Sequence, residues 1–224
     1  MVEYTLIRSR RKTIAIHIKD GEIEVRAPIG VKKRDIDNFI ISKKHLIDER
    51  LALSKESAEK REVFVLNFGD SVIYRGAKYP ILAREGMLGG FDKEVFYLPP
   101  DLDSDEIKHN IVRLYRLLAE HYIAERVEYY STLMGVSFTA VKINGAKTRW
   151  GSCSDKKSLN FSWRLIMAED AVIDYVVVHE LSHINEMNHS KRFWETVEKM
   201  FPDYAEQQEK LKELQNKLNT EDWE

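Results

Sequence analysis

The sequence is short of cysteine, of long apolar runs and of net charge. Cys153 is the only cysteine among 224 residues, so no disulfide can form within the chain and a zinc site built on cysteines is excluded. We therefore expect a reducing, cytoplasmic setting. Charged residues interrupt every candidate membrane span, and the N-terminus lacks the apolar run of a secretory signal. With 35 basic and 37 acidic residues, the net charge of −2 indicates neither nucleic acid nor an anionic membrane as a partner.

The first part of the chain is predicted to be rich in β-structure. Apolar and polar residues alternate in Glu22–Arg26, and with Thr13–Ile18 on the other side of the turn signal Asp20-Gly21 this pattern predicts a hairpin. Apolar residues at three-and-four spacing then predict one helix from Val31 to Ser57.

A change of pattern marks the expected boundary between two regions. Short strand-like segments separated by glycines predict a four-stranded meander, at Val63–Phe68, Ser71–Tyr74, Tyr79–Arg84 and Glu94–Leu98. Pro99-Pro100 ends this pattern, and helical periodicity follows it. We therefore expect a β-rich region with one helix at residues 1–100 and a second region at 101–224, although the two could form one continuous domain.

The second region is predicted to combine helices with a few strands. Ser104 is the expected N-cap of a helix that runs to about Met134, and a strand follows at Phe138–Ile143. The segments Thr148–Ser154 and Ser158–Leu165 are expected to pair as a hairpin. Three further helices are predicted, from Glu169 or Asp170 to Ile184, after the cap Ser190 and after the cap Asp203.

His179, Glu180 and His183 form an HExxH motif on the first of these three helices. Because successive helical residues are rotated by about 100°, residues four apart project from one face, which suits two imidazoles that share a metal ion. Glu180 lies beside His179, where its carboxylate can reach a water on the metal. The apolar segment 176–178 would make these polar side chains costly to bury without a partner. The alternative is a pair of core histidines bonded to backbone, with Glu180 facing solvent.

His189 is the expected third ligand, provided that the chain turns sharply after His183. Three protein ligands leave the fourth tetrahedral position open, as in catalytic zinc sites. Six residues beyond His183 a straight helix has turned by about 600° and points the side chain away, so the helix must break. Zinc peptidases with the HExxHxxGxxH pattern break at a glycine, whereas Glu186 stands at that position here. Asn185 or Asn188 could make the turn in a left-handed conformation.

Four residues on the predicted hairpin are candidates for contact with a substrate. An extended peptide often lies along the sheet edge beside the metal helix of zinc peptidases, and the strands with Trp150 and Asn160 are the candidates for that edge. Arg149, Asn160 and Arg164 could stabilise an oxyanion. Arg149 and Trp150 could equally form a structural pair, with the guanidinium stacked on the indole.

Other residues near the motif have open alternatives. Glu195 and Glu198 are the alternatives to His189 as the third ligand. Asp174 is either a carboxylate that supports the site or the packing of its helix, or an exposed residue. Cys153 is expected to be a small buried residue rather than a nucleophile or a ligand.

Several sequence blocks carry a family resemblance, namely Arg149–Cys153, Leu159–Phe161 with Trp163–Leu165, Asp174–Leu181, and Asn188–Ser190 with Phe193-Trp194. Together they resemble the YgjP-like metallopeptidase family of predicted metal-dependent hydrolases, which is related to the SprT-like zinc peptidases. The resemblance implies one zinc ion per chain on His179, His183 and His189, with Glu180 as general base. It also implies an α+β fold in which the β-rich N-terminal region precedes a zincin-like core, where a small sheet and a backing helix pack on the HExxH helix.

We therefore expect a zinc-dependent peptidase that hydrolyses peptide or protein substrates with metal-activated water. One alternative is a DNA-associated, SprT-like protease, supported by the basic residues Arg8, Arg10, Arg11 and Lys12. The same basic residues could instead protect an exposed strand edge from pairing. A second alternative is a zinc-binding module without catalysis. No membrane partner is expected.

Overall fold

The computed structural model describes residues 3–19, 21–52, 64–86 and 88–223. The chain forms two compact units, one of Met1–Phe64 with Leu218–Asp222 and one of Val65–Lys217 with Trp223–Glu224. The expected boundary at Pro99-Pro100 lies inside the second unit. Each unit combines strands with helices, so the α+β class is confirmed. Within the described ranges, no helix combines the length and the apolar character needed to span a membrane.

The first unit contains a three-stranded sheet with strands β1 (Thr5–Ser9), β2 (Ala15–Lys19) and β3 (Glu22–Pro28). β2 and β3 pair antiparallel, which confirms the predicted hairpin, and Gly21 supplies the positive φ of 79° in the turn. β1 pairs in parallel with the other side of β3, which gives the order β1-β3-β2. The alternation of β3 places Val25 and Ala27 in the core of this unit with no exposed surface.

The helix predicted from Val31 to Ser57 is interrupted. α1 covers Lys33–Ser42 and α2 covers residues 44–52, whereas residues 53–57 lie outside the described ranges. At Lys43 the backbone N–H bonds to the carbonyl three residues back, at 3.0 Å, and tightens the turn. The break allows both helices to bury isoleucines in one core, namely Ile36, Ile40 and Ile47.

The second unit begins with a four-stranded sheet rather than the predicted meander. Its strands are β4 (Ser71–Tyr74), β5 (Ala77–Ala83), β6 (Gly90–Phe91) and β7 (Phe96–Leu98), in the order β4-β5-β7-β6. The chain between β5 and β7 makes the short edge strand β6, so β5 and β7 pair in parallel. The prediction of a strand through residues 64–68 is wrong, because residues 64–67 have no regular structure and a turn begins at residue 68.

The long helix α3 covers Ser104–Met134, as predicted, but its N-cap is Asp103 rather than Ser104. The Asp103 carboxylate accepts the backbone N–H of Glu106 at 2.9 Å, and Glu106 accepts the N–H of Asp103, which forms a capping box. The Ser104 hydroxyl instead donates to the side chain of Asn67 at 2.7 Å. Gly135 ends the helix in a left-handed conformation with φ of 65°.

The third sheet has strands β8 (Ala140–Asn144), β9 (Gly151–Cys153) and β10 (Ser158–Ser162), in the order β8-β10-β9. β9 and β10 pair antiparallel, which confirms the predicted hairpin and makes β9 an edge strand. The second strand of this hairpin was predicted to end at Leu165, but β10 ends at Ser162, because Trp163–Met167 form a 3-10 helix. The Ser162 side chain, which accepts the N–H of Arg164 at 3.4 Å, caps that helix.

Three helices follow, namely α4 (Asp170–Ser182), α5 (Lys191–Met200) and α6 (Tyr204–Leu218), and all of their residues except Leu218 belong to the second unit. α4 carries the HExxH motif and packs against both α3 and β9. Ser190 caps α5, as predicted, by accepting the N–H of Phe193 at 3.3 Å. In this unit a small sheet and the long helix α3 therefore pack on the motif helix, as expected.

Candidate metal centre

Three histidines converge at the C-terminal end of α4. His179 lies in the last turn of the helix, His183 is its C-cap, and His189 lies in the segment that leads to α5. One ligand nitrogen from each ring lies within 4.8 Å of the others, and the Nε2 atoms of His179 and His189 are 3.1 Å apart. The separation of 3.1 Å is close to that of two nitrogens that bind one ion with bonds of about 2.0–2.1 Å.

The chain turns between His183 and His189 without a left-handed residue, so the expected left-handed turn at Asn185 or Asn188 is wrong. The backbone N–H groups of Ile184 and Asn185 bond to carbonyls three residues back, at 3.1 and 3.3 Å, so the helix tightens before it ends. Beyond this point the Asn188 side chain accepts the N–H of Ser190 at 3.2 Å. Because no positive φ is needed, the absence of glycine at position 186 is tolerated.

The Nδ1 atoms of His183 and His179 each lie near a polar group outside the cluster. Nδ1 of His183 bonds to the carbonyl oxygen of Glu186 at 3.0 Å, so this nitrogen carries the proton and Nε2 keeps its lone pair. Nδ1 of His179 lies 3.5 Å from the Tyr175 hydroxyl, which accepts an N–H from Gln208 at 3.0 Å. Such contacts fix the orientation and the tautomer of metal-binding histidines, so the donor set fits a metal ion.

Aromatic side chains of α5 pack against the three imidazole rings. The ring of Phe193, which is fully buried, lies 4.5–4.9 Å from the three histidine rings. Trp194 stacks on His189 with centroids 5.7 Å apart, and Tyr204 of α6 stacks on Trp194 at 5.2 Å. The histidines are therefore packed as a cluster rather than dispersed on the surface.

The surroundings of the cluster favour neutral imidazoles. Burial, together with charge repulsion from the nearby His183 and His189, lowers the pKa of His179 to about 3. Burial also lowers the pKa of His183. Since metals bind the neutral form of imidazole, these shifts prepare the nitrogens for coordination near neutral pH.

Glu180 is buried against the edge strand β9. The residue is 6% exposed, and burial raises the pKa of its carboxyl to about 7, although the positive charge of Arg149 opposes the shift. A β-carbon on Gly151 would lie 2.6 Å from both Cγ and Oε1 of Glu180. Only glycine therefore allows β9 to approach the carboxylate this closely.

The four predicted substrate contacts lie in different surroundings. Trp150 lines a cleft beside His179 and Glu180, and Arg149 is exposed next to it. Asn160 is a partly buried residue in the middle of β10, and it does not line this cleft.

Arg164 is 6% exposed and lies away from the cleft. Its guanidinium donates to the carbonyl of Gly145 at 3.0 Å and lies 4.5 Å from the centre of the Trp163 ring. A guanidinium therefore lies over an indole at Arg164 and Trp163, whereas for Arg149 and Trp150 such a pair was one of two alternatives.

Two other residues from the sequence analysis have structural contacts. Asp174 pairs with Arg126 of α3 at 2.5 Å and accepts the hydroxyl proton of Tyr130 at 3.1 Å, so it packs α4 on α3. Burial raises the pKa of the Cys153 thiol, which disfavours the reactive thiolate.

Sequence reasoning missed three residues that shape the site, namely Gly151, Tyr175 and Gln208. Tyr175 stands four residues before His179, one turn away on the same helical face, and that spacing was a usable signal. Gln208 lies on another helix and contacts Tyr175 across 33 positions, so no local pattern could indicate it.

Three clustered histidines beside a buried glutamate suit a metal-dependent peptidase, and the comparison with protein families agrees. The family model described as YgjP-like, metallopeptidase domain matches residues 12–214, and the chain therefore belongs to the YgjP-like metallopeptidase family. A search of the curated proteins finds no match.

Two solved structures resemble part of the chain. The metallopeptidase zymogen of Pyrococcus abyssi abylysin is 23% identical, with a TM-score of 0.37, over 40% of this chain and 90% of that one. The metallopeptidase zymogen of Methanocaldococcus jannaschii jannalysin is 21% identical, with a TM-score of 0.38, over 41% of this chain and 94% of that one.

Proposed function

We propose that this peptidase uses a single zinc ion held by His179, His183 and His189. The observation that carries the proposal is the convergence of three ring nitrogens within 4.8 Å, together with the partner that fixes Nδ1 of His183. Three neutral imidazoles with a fourth position left open are the donor set of catalytic zinc. Zinc bound there would polarise the scissile carbonyl and activate water for attack on it.

Glu180 is proposed as the general base and then the general acid. Its carboxylate lies beside His179 in the same cleft, and its raised pKa of about 7 matches the requirement for proton transfer near neutral pH. As the water oxygen bonds to the carbonyl carbon, Glu180 takes the water proton. The same proton then passes to the amide nitrogen as the carbon–nitrogen bond breaks, which gives a carboxylic acid and an amine. The second water proton then passes from the acid to the amine, which leaves a carboxylate and an ammonium group.

The edge strand β9 is the proposed site for an extended substrate backbone. Among the described residues β9 pairs with β10 alone, and it packs on α4 on its face, so the backbone groups of its other edge can pair with a peptide. Arg149 is exposed and close enough to affect the pKa of Glu180, so it is the proposed contact for the developing oxyanion. The burial of Arg164 and its bond to Gly145 favour a role in supporting the hairpin.

The proposal is tested with two substitutions and one matched control. Glu180→Gln should keep one zinc ion per chain and lose peptide hydrolysis, whereas His183→Ala should lose both. Glu195→Gln makes the same chemical change on an exposed residue of α5 and should keep both zinc and hydrolysis. Zinc is counted by elemental analysis and hydrolysis by mass spectrometry of a denatured protein substrate.

The outcomes separate the competing functions. Full hydrolysis by Glu180→Gln would contradict the assigned base, and loss of zinc in Glu195→Gln would favour the alternative ligand. Tight zinc binding without hydrolysis by the wild-type protein would favour the non-catalytic module.

Nucleic acid as a partner stays a prediction. Of the four basic residues that suggested it, Arg8 donates to the backbone carbonyls of Pro28, Ile29 and Val31 at 3.2, 3.0 and 2.8 Å. That side chain therefore stabilises the loop after β3.

A further inference from the structure

The cleft beside His179 and Glu180 has apolar walls. Its volume is about 280 Å3, and three elements contribute a wall each: Trp150 before β9, Val176 on α4 and Leu211 on α6. Val176 and Leu211 are 4% and 8% exposed, so the walls are packed into the protein. His179 and Glu180 line the same cleft, so a group that occupies the cleft lies next to both side chains.

The other polar groups of the cleft are engaged with each other. Gln208 donates to the Tyr175 hydroxyl at 3.0 Å, and that hydroxyl lies 3.5 Å from Nδ1 of His179. An acidic side chain that entered the cleft would lose its water against Val176 and Leu211 and would lie near the carboxylate of Glu180. An apolar side chain would instead gain from leaving water. The cleft therefore favours apolar side chains over acidic ones.

The volume suits one side chain rather than a longer segment. A cavity of about 150 Å3 lined by apolar side chains holds a benzene molecule. A cleft of about 280 Å3 therefore has room for one leucine, methionine or phenylalanine side chain and part of its backbone.

We propose that this cleft is a specificity pocket for an apolar side chain adjacent to the scissile bond, and that Leu211 sets the size of the side chain it accepts. The inference rests on the proposed peptidase function. It extends that function by assigning a substrate class, namely peptides with an aliphatic or aromatic residue beside the cleaved bond. It also gives α6 a direct role in substrate selection.

The first experiment measures cleavage of a peptide library that carries each amino acid at the two positions flanking the cleaved bond. Wild-type protein with zinc should favour leucine, methionine or phenylalanine over alanine or aspartate at one of these positions, by about 10- to 100-fold in kcat/KM. Leu211→Phe narrows the pocket and should reduce cleavage of phenylalanine peptides at least about tenfold more than cleavage of alanine peptides. Leu214→Phe makes the same change three residues further along α6, outside the cleft lining, and should leave the preference unchanged.

A second experiment tests the pocket without catalysis. N-acetyl-phenylalanine amide is titrated into the Glu180→Gln protein, and the indole N–H signal of Trp150 is followed by NMR. The signal should shift on titration, should shift much less in the Leu211→Phe background, and should not respond to N-acetyl-aspartate amide.

The two experiments distinguish failure of the pocket from failure of the peptidase function. Absence of cleavage together with the expected Trp150 shifts would overturn the peptidase function and support the pocket. Cleavage without any apolar preference, or a preference that Leu211→Phe does not change, would overturn the pocket and leave the peptidase function standing.

Discussion

At the scale of single residues, Gly151 determines how closely β9 approaches Glu180. The motif histidines could be predicted from the sequence because helix geometry relates residues four apart on one face. Gly151 and Gln208 could not, because each meets its partner through the tertiary fold. The turn before His189 was predicted to exist, but its backbone conformation depends on local hydrogen bonds that the composition does not reveal.

The close approach at Gly151 gives a first prediction. In Gly151→Ala the new methyl group would lie 2.6 Å from Cγ and Oε1 of Glu180, so the carboxylate must move. We expect kcat/KM to fall by about 100-fold, since a misplacement of about 1 Å in a catalytic group has effects of that size. Zinc content should be unchanged. Gly30→Ala, where nothing lies within 4 Å, is the control. Unchanged kinetics in Gly151→Ala would show that Glu180 does not need its observed position.

The hydroxyl of Tyr175 gives a second prediction. Tyr175→Phe removes the group that lies 3.5 Å from Nδ1 of His179, and zinc affinity should fall by about 10- to 100-fold. Affinity is measured by competition with a chelating dye. The control is Tyr130→Phe, which removes a hydroxyl of α3 that donates to Asp174 of α4. It should reduce stability without changing zinc affinity. Equal zinc affinities in Tyr175→Phe and the wild type would show that the hydroxyl does not position His179.

At the scale of elements, long helices and local hairpins were predicted well, whereas the pairing order of the four-stranded sheet was not. α3 follows its predicted range closely, because an apolar stripe over many residues indicates both the type and the extent of a helix. α4 also follows its predicted range closely, although it is buried on nearly all sides. The order of β4, β5, β6 and β7 could not be predicted, because alternation identifies a strand but does not choose its partner. The α1–α2 break has a similar cause, since its benefit is the burial of Ile47 in a tertiary core.

The start of α4 gives a prediction on pH dependence. Hydrogen bonds from Arg75 at 2.6 Å lower the pKa of Asp170 below its ordinary value of about 3.9. The ionised pair therefore stabilises the fold above about pH 4, and this contribution is lost as the pH falls through the lowered pKa. Asp170→Asn should be less stable than the wild type at pH 7, and the difference should shrink in increasingly acidic solution. The side chain of Asp170 is 48% exposed, so the effect is small.

Urea unfolding at several pH values measures that difference. Asp105→Asn, at an exposed residue of α3 whose ion pair is long at 3.8 Å, is the control and should show little change at any pH. A difference for Asp170→Asn that stays constant from pH 7 into acid would contradict the assigned pair.

At the scale of the whole molecule, all the groups of the candidate site belong to the second compact unit, whereas the family match runs from residue 12 to residue 214 and includes part of both. The α+β class followed from the sequence, because strand and helix periodicities are both present. Pro99-Pro100 ends a local sequence pattern, whereas the compact units depend on contacts between distant residues.

Metal binding should be visible in the stability of the protein. An ion that binds only the folded chain raises its free energy of unfolding by about 2.7 kcal/mol at a free concentration one hundred times Kd. Removing zinc with a chelator should therefore lower the wild-type stability by about this amount, and returning zinc should restore it. His183→Ala should show no such response. A zinc response in His183→Ala equal to that of the wild type would place the ion elsewhere.

The most direct test of the three-histidine zinc centre is anomalous diffraction from crystals grown with zinc, recorded above and below the zinc absorption edge. We expect one strong peak per chain, about 2.0–2.1 Å from Nε2 of His179, His183 and His189. No peak at this cluster, or a peak bound by Glu195 or Glu198 in place of His189, would contradict the proposed centre.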